Sequence, residues 1–581
     1  MVTFMAEGKG RKKSKRVRRR IIRRLIPIMV ALVLIAVVIV FSAATGLLQK
    51  YSHSTEKADL NEYFGLEEEN EAAVLLDNAY SDEKAIIEND RYYISYSMVK
   101  DKLNDNFYFD SNEKLLLYTT PTETIRADSG SNEFIERNDT VYLALDYVKK
   151  YTNLEYNVYD TPNHLEIKYK WGTVNRADVT KNTQVRLAPD TKSPVLTEAA
   201  SGDVVEVLDS QDAWTQVKSA DGYLGYMENK MLDNYREEQE TPVMNVADMV
   251  FPSQTRDSKI CLGWHQVTNE AANGTLTDVM AQTLGVNVIS PTWFSLSDNE
   301  GHISSIASAS YVQQAHEMGL EVWGLADNFN PETDTYEVLS YTSKRAVLIQ
   351  ELIGKAEELQ LDGINVDFEN LSTETGDHFA QFIRELSIPC RERGIVLSVD
   401  NYVPKEYTEH YNRATQGKFA DYVIIMGYDE HYAGSKESGS VASVDFVRDG
   451  IEQTLKDVPA EKVINAIPFY TRIWKETAKT QAELEQDSTY TMNVTSEAVG
   501  MAAAEKLIAD HGVTAQWDDM AAQNYAEFQL DNALVKIWLE DEASIDVKMQ
   551  LIKNNNLAGV ACWKLGFEKS SVWEVIQKYL G

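Results

Sequence analysis

The stretch Leu361–Asn370, LDGINVDFEN, decides how the second half of this chain is read. Side chains of an extended segment alternate between two faces, so Asn365, Asp367 and Glu369 share one face while Ile364, Val366 and Phe368 share the other. A strand of this kind packs its apolar side on helices and turns its polar side into an enclosed opening. At roughly 3.3 Å per residue the polar steps stand about 6 to 7 Å apart, with Glu369 uppermost. Asp362 has the wrong parity for this ladder and is read as capping the beginning of the strand.

Outward from this stretch, from about Val243 on, apolar strand-like runs alternate with amphipathic helical ones, the pattern of a parallel α/β architecture. Eight such runs occupy residues 259–267, 286–296, 320–329, 361–370, 394–403, 421–432, 463–474 and 557–568. Helical segments such as 311–319, 343–360, 376–394 and 445–457 fall between them. Eight units predict a (β/α)8 TIM barrel, whose chemistry sits at the C-terminal ends of its strands. Those ends hold Trp264, His265, Trp293, Asp327, Asn328, Asp400, Tyr402, Tyr428, Asp429, Tyr470, Arg472 and Trp563. Any one of these alone would pass for a solvated loop residue, but together they describe a rimmed cleft. Aromatic rings mixed with carboxylates suit a sugar, whose apolar faces stack while its hydroxyls hydrogen-bond.

The ladder Asp362, Asn365, Asp367 and Glu369 resembles the Asp-x-x-Asp-x-Asp-x-Glu signature of glycoside hydrolase family 18, with three of the four positions matched. Met426, Tyr428 and Asp429 are similar to that family's Met-x-Tyr-Asp on the sixth strand, and Trp563 to its eighth-strand tryptophan. ISPTWF, IPFYTRIW and IWLEDEASIDVK resemble the branch containing spore-cortex-lytic and cell-wall N-acetylglucosaminidases. The resemblance extends over roughly residues 243–581. It implies a retaining glycosidase that uses the substrate's own acetamide as nucleophile, so that one carboxylic acid suffices as proton donor. On that reading Glu369 is the acid and base, Asp367 holds the acetamide N–H, and Tyr428 hydrogen-bonds the acetamide oxygen. Asn365, Met426, Asp429, Trp563, Tyr470, Arg472, Trp293 and Asn328 are the implied substrate-binding set, with Trp563 as the floor under the sugar ring. Neither a metal nor an organic cofactor is implied. The competing reading is a sugar-binding barrel without catalysis, because the same fold also hosts lectins.

Asn365 departs from the family pattern. An amide there removes the repulsion of two neighbouring carboxylates, so Asp367 is expected to stay ionised and to accept a hydrogen bond from Asn365.

At 581 residues the chain is too long for one core. The formal net charge is -34, yet residues 1–25 hold eleven Lys and Arg against the single acid Glu7. Leu25–Leu48 follows as an uncharged apolar run, about 36 Å long as a helix and enough to cross a bilayer. Basic flanks stay cytoplasmic. The prediction is a cytoplasmic tail over 1–24, an uncleaved transmembrane signal-anchor helix over 25–48, and everything later outside the cell. A cleaved signal peptide is the competing reading, but signal cores run only about 7 to 15 residues. Membrane-surface charge accounts for the basic tail without a nucleic-acid partner.

Residues 49–85 are acidic and read as a stalk. The alternating aromatic and branched residues of 86–171 predict short strands. They resemble the copper-amine-oxidase N-terminal type of domain found in bacterial surface proteins, here read as an α+β stalk domain with no copper implied. Within 172–236, VRLAPDTKSP, AWTQV and GYLGYM resemble a bacterial SH3-type domain, a small all-β barrel that either binds cell-wall peptidoglycan or serves as a spacer. The barrel domain is expected over 240–581. Cys261, Cys390 and Cys562 have the spacing of neither a disulfide framework nor a metal site and are expected to be buried. An N-acetylglucosamine-containing polysaccharide is the expected partner, and the sequence leaves peptidoglycan and chitin, endo and exo cleavage, all open. Residues 479–528, with Trp517 and Tyr525, are either a wall of the cleft or a small insertion with its own core.

Overall fold

A computed structural model describes residues 27–45, 52–242, 246 and 249–580, so the basic tail and both ends of the apolar run lie outside the described residues. The chain divides into two compact units, Met1–Met98 with Glu136–Val246, and Val99–Ile135 with Ala247–Gly581. Among the described residues one helix, Pro27–Thr45, is long and apolar enough to cross a membrane.

In the first unit, residues 172–240 form seven antiparallel strands around a core that includes Ala177, Val185, Val205, Val217 and Met227. The residues expected as a stalk are folded from Ser52 on. Ala58 N donates to Val195 O at 2.9 Å, and Arg186 Nη2 donates to Ser54 O at 2.9 Å. Asp59 caps the short helix Leu60–Phe64, and Glu71–Leu76 and Ala79–Glu88 are strands of a second sheet.

The second unit is the predicted barrel. Its strands are β1 (Ile260–His265), β2 (Val288–Leu296), β3 (Glu321–Asp327), β4 (Gly363–Asp367), β5 (Val396–Tyr402), β6 (Tyr422–Met426), β7 (Val463–Pro468) and β8 (Gly559–Trp563). All pair in parallel, and β1 bonds to both β2 and β8, which closes the ring. Helices α1 (Ala309–Glu317), α2 (Thr342–Leu359), α3 (Gly376–Arg393) and α4 (Val444–Thr454) fall where the amphipathic pattern places them, and α5 (Glu542–Asn554) precedes β8. Alternation along β4 sends Ile364, Val366 and Phe368 into the apolar layer under the helices. Inside the ring, Leu262, Trp264, Val288, Trp323, Leu325, Tyr422 and Ile424 make a separate core. Trp323 lies so close across β4 that a Cβ on Gly363 would come within 2.6 Å of its Cδ1, which only glycine avoids. Asp362 sits at the opposite end from the cleft, where its Oδ2 accepts from Val322 N at 2.8 Å and faces His316 Nε2 at 2.8 Å.

Two features of this unit are additions to the bare barrel. Between β7 and β8 the chain builds a five-stranded antiparallel sheet and the helix Met501–Asp510, with its own core of Ile473, Ala504, Ile508, Phe528, Val535 and Ile537. Trp517 is exposed on its shortest strand and Tyr525 packs on Trp538 with ring centroids 4.6 Å apart, so neither ring is part of that core. Residues 99–135, predicted as part of one block over 86–171, instead belong with the barrel as a three-stranded sheet of Phe107–Asp110, Leu115–Thr119 and Thr124–Asp128. Asp110 Oδ2 accepts from Thr342 N at 2.7 Å at the start of α2, and Tyr108 bonds Arg345 at 3.2 Å and His378 at 2.6 Å. All three cysteines are buried and unpaired.

Candidate active site

The polar ladder of β4 rises through three levels. At the lowest, Asn365 is completely buried: its Oδ1 accepts from Trp264 Nε1 at 2.9 Å and Ser290 Oγ at 3.1 Å, and its Nδ2 donates to Asp400 Oδ1 at 2.8 Å. It therefore ties together β1, β2 and β5 beneath the cleft. Two expectations are corrected here. Asn365 has no surface to offer a substrate, because the barrel is still closed by Trp264 at its level, and its amide goes to Asp400 instead of Asp367.

At the middle level Asp367 pairs in register with Asp327 on β3. On the other side the register Val366 to Val399 brings Asp400 of β5 beside it. Three carboxylates thus stand in a row on adjacent strands. Asp367 and Asp400 are only 7% and 2% exposed, and Asp367 Oδ1 is buried with no hydrogen-bond partner among the described residues. No Lys, Arg or His among the described residues pairs with Asp327, Asp367, Glu369 or Asp400. Burial, and after it the charges of Asp400, Glu369 and Asp327, hold the Asp367 carboxyl well above the usual range. This corrects the expectation that Asp367 stays ionised: the charge absent at position 365 is present one strand away, at Asp400. The Asp400 carboxyl is raised as well, by burial first, against the lowering effect of the Asn365 hydrogen bond.

At the top, Glu369 is fixed by backbone and side chain. Its N–H donates to Asn328 Oδ1 at 2.8 Å, and Asn328 Nδ2 donates back to its carbonyl at 2.9 Å and to Thr335 Oγ1 at 2.9 Å. Tyr402, at the end of β5, donates its hydroxyl to Glu369 Oε2. Burial raises the Glu369 carboxyl, the Tyr402 bond pulls it down, and the charges of Asp429 and Asp327 add to the rise, with the net upward. A half-buried carboxyl held above its ordinary range is suited to giving up a proton near neutral pH.

The far wall comes from the later strands. Tyr428 stands edge-on to Tyr470 with centroids 6.2 Å apart, and its hydroxyl has no partner among the described residues. Tyr470 donates to Asp429, while Arg472 reaches to 3.9 Å from Asp429 and bonds Ser496 at 3.2 Å. Met426 is buried at the end of β6. Trp563 is half-buried at the end of β8, its ring 5.9 Å from that of Trp264. On the opposite side of Glu369 lies a cavity of about 580 Å³ lined by Asn328, Phe329, Tyr336, Glu369, Asn370 and Ser372 among others.

The structure thus brings together Asp367, Glu369, Tyr428, Asp429, Tyr470, Arg472, Trp563 and Asn328 around one cleft. It leaves out Trp293, which points outward from β2, donates Nε1 to Asn273 Oδ1 at 2.8 Å and packs on Tyr311. Parity explains this: Ser290 faces inward, so position 293 faces the helices. Asp400, Tyr402 and Asp327 were seen in sequence only as rim residues. Their signal was available, since Ser398, Asp400 and Tyr402 alternate along β5 as the ladder of β4 does.

Residues 310–568 match the family described as Glycosyl hydrolases family 18, and residues 181–233 match Bacterial SH3 domain. An uncharacterized glycosylase of Bacillus subtilis is 27% identical over 307 residues, 50% of this chain and 84% of that protein. The cortical fragment-lytic enzyme of Bacillus subtilis is 28% identical over 236 residues, 39% of this chain and 51% of the enzyme, so the match spans about half of that relative. Among solved structures, the C-terminal domain of a protein assigned as a chitinase, from Desulfitobacterium hafniense, superposes with a TM-score of 0.51 at 20% identity, covering 56% of this chain and 100% of that one. That likeness concerns the fold. Residues 310–568 thus match a family 18 glycosyl hydrolase domain and residues 181–233 a bacterial SH3 domain, and the glycosylase relatives support a glycosidase.

Proposed function

We propose that this protein cleaves β-linkages of N-acetylglucosamine-containing polymers by retaining, substrate-assisted catalysis. The observation that carries the reading is the contrast between two stacked carboxyls. Glu369 is held at the mouth of the cleft by Tyr402 and Asn328, and Asp367 below it keeps a buried oxygen with no partner. Glu369 gives its proton to the glycosidic oxygen as the bond to the anomeric carbon breaks, and the acetamide oxygen of the same sugar closes on that carbon to form an oxazolinium ion. Glu369, now a carboxylate, takes a proton from the water that opens the ring, which restores the β configuration. Asp367 offers its free oxygen to the acetamide N–H, and Tyr428 its free hydroxyl to the acetamide oxygen. Trp563 lies under the ring, with Asp429, Tyr470 and Arg472 at its hydroxyls. The cavity beyond Glu369 then takes the departing part of the polymer.

The helix Pro27–Thr45 is read as a signal anchor that keeps the basic N-terminus in the cytoplasm and the barrel outside. The SH3 domain is read as a contact to cell-wall peptidoglycan. The cortical fragment-lytic relative favours peptidoglycan over chitin. The test is release of reducing ends from purified glycan strands by the full chain, beside Glu369→Gln. Turnover that disappears in the variant supports the enzyme, while saturable binding by both without turnover supports a lectin.

A further inference from the structure

Helix α2 begins without a cap of its own, because Tyr341 at its N-cap position makes no side-chain hydrogen bond to the first turn. The cap comes from 232 residues earlier in the chain. Asp110, completely buried, divides its carboxylate between two tasks. Its Oδ1 accepts from Asn112 N and Glu113 N, both at 2.9 Å, and shapes the turn that follows the strand Phe107–Asp110. Its Oδ2 accepts from Thr342 N at 2.7 Å and Thr342 Oγ1 at 2.6 Å. Glu113 Oε2 accepts from Ser343 N at 3.0 Å, and Asn112 Nδ2 donates to Ser340 O at 3.2 Å, so the turn holds both sides of the junction between the short helix Thr335–Leu339 and α2. Tyr108, on the strand before the turn, reaches the same segment by two routes. Arg345 Nη1 donates to its hydroxyl at 3.2 Å and to Leu339 O at 2.7 Å. The hydroxyl also hydrogen-bonds His378 Nδ1 at 2.6 Å, and the His378 ring backs Tyr336 edge-on with centroids 5.2 Å apart.

These contacts converge on one wall of the cavity beyond Glu369. Thr335 and Tyr336 line that wall, and Tyr336 is 41% exposed, so its ring is available to a ligand. The near end of the segment is tied down by the barrel itself, where Asn330 Nδ2 donates to Ser297 O at 3.2 Å and Asp334 N to Asn299 Oδ1 at 2.7 Å. The far end is held by the turn. Resting on the proposed glycosidase reading, we propose that the turn Asp110–Glu113, together with Tyr108, is a positioning element for the sugars on the leaving side of the cut bond. It fixes residues 335–341 so that Tyr336 presents its ring to a sugar face, while Asn330 and Thr335 of the same wall meet hydroxyls. The charged residues lining this cavity are the acids Asp334 and Glu369, so the ligand it fits is an uncharged saccharide. Glu369 is clamped separately by Asn328 from the end of β3. The turn therefore governs how the leaving sugars are held and leaves the acid in place.

The experiment uses the full chain in detergent, with the variants Asp110→Asn, Asn112→Ala and Tyr108→Phe. Asp110→Asn keeps the oxygen that shapes the turn and sets an amide NH2 against the Thr342 N–H, so the clamp is lost at the cost of one atom. Each protein is assayed on an aryl chitobioside, whose leaving group carries no sugar, and on a longer N-acetylglucosamine oligosaccharide, which places sugars in the cavity. In Asp110→Asn, KM for the oligosaccharide rises by about tenfold, while its kcat and the kcat/KM for the aryl substrate stay within about twofold of wild type. Asn112→Ala and Tyr108→Phe move in the same direction by about threefold, and they decide the matter if Asp110→Asn does not fold. Equal losses on the two substrates in variants that circular dichroism shows to be folded, or an unchanged KM for the oligosaccharide, overturn the proposal. A readout independent of turnover is hydrogen exchange of the backbone amides. Those of residues 335–345 are expected to exchange about tenfold faster in Asp110→Asn while those of β4 keep their wild-type rates. Unchanged exchange at 335–345 refutes the clamp even if the wild type hydrolyses nothing, whereas wild-type inactivity counts against the glycosidase reading.

Discussion

Replacing Tyr402 by Phe removes one atom from the site and changes the acid directly. The Tyr402 hydroxyl donates to Glu369 Oε2 and stands 3.5 Å from Asn370 Oδ1, while its ring stays edge-on to Tyr411 at 5.8 Å. A hydrogen bond to a charged group contributes about 1.5 to 3 kcal/mol. Part of it survives when the carboxyl is neutral, so the difference between the two protonation states is about 1.4 kcal/mol, or about one pH unit. The bond favours the carboxylate, so its loss raises the Glu369 carboxyl further and keeps it protonated to higher pH. The alkaline limb of kcat/KM for an aryl chitobioside should therefore move up by about one unit in Tyr402→Phe. Circular dichroism and thermal unfolding should show the fold intact. If the limb stays in place, or moves towards acid, then Tyr402 does not tune Glu369 and the assignment of Glu369 as the titrating acid fails with it.

Two further outcomes follow from the same geometry. Asn328→Ala leaves the Glu369 N–H and carbonyl without the partners they have at 2.8 and 2.9 Å, and should cost about 1 to 3 kcal/mol in urea unfolding and about tenfold in kcat; wild-type values for both would refute the clamp. A chain shortened to Ala247–Gly581 loses the Asp110 cap on α2 and the Tyr108 bonds to Arg345 and His378, around an Arg345 that is completely buried. It should unfold about 3 kcal/mol or more more easily than the full chain's barrel, or fail to fold, and equal urea midpoints would show the three-stranded sheet to be dispensable.

The barrel was legible because its strands announce themselves locally. Period-two alternation in Leu361–Asn370 and seven similar runs place every strand, and strand direction alone puts Glu369 at the rim. What the sequence hid depends on which strand lies beside which. The partner of Asn365 is on β5, 35 residues further along, and its identity follows from register, which the sequence pattern of either strand does not contain. For that reason an amide that looked like relief from a carboxylate pair proved to be bonded to a second carboxylate. Trp293 was misplaced for the opposite reason: its aromatic character drew it to the cleft although the parity of β2 sends it outward. The short strands of 99–135 read correctly as strands, but nothing in their alternation says that they pack on barrel helices.

If the substrate's acetamide, steered by Asp367 under Glu369, is the nucleophile, hydrolysis must depend on the 2-acetamido group. The most direct measurement compares the full chain on aryl β-glycosides that differ only at the 2-position of the sugar next to the aglycone, N-acetyl against hydroxyl, with the first-formed anomer followed by proton NMR. Turnover of the N-acetyl substrate is expected to be at least about a hundredfold faster, with the β anomer appearing first. Comparable rates on the two substrates, or an α anomer appearing first, would contradict it.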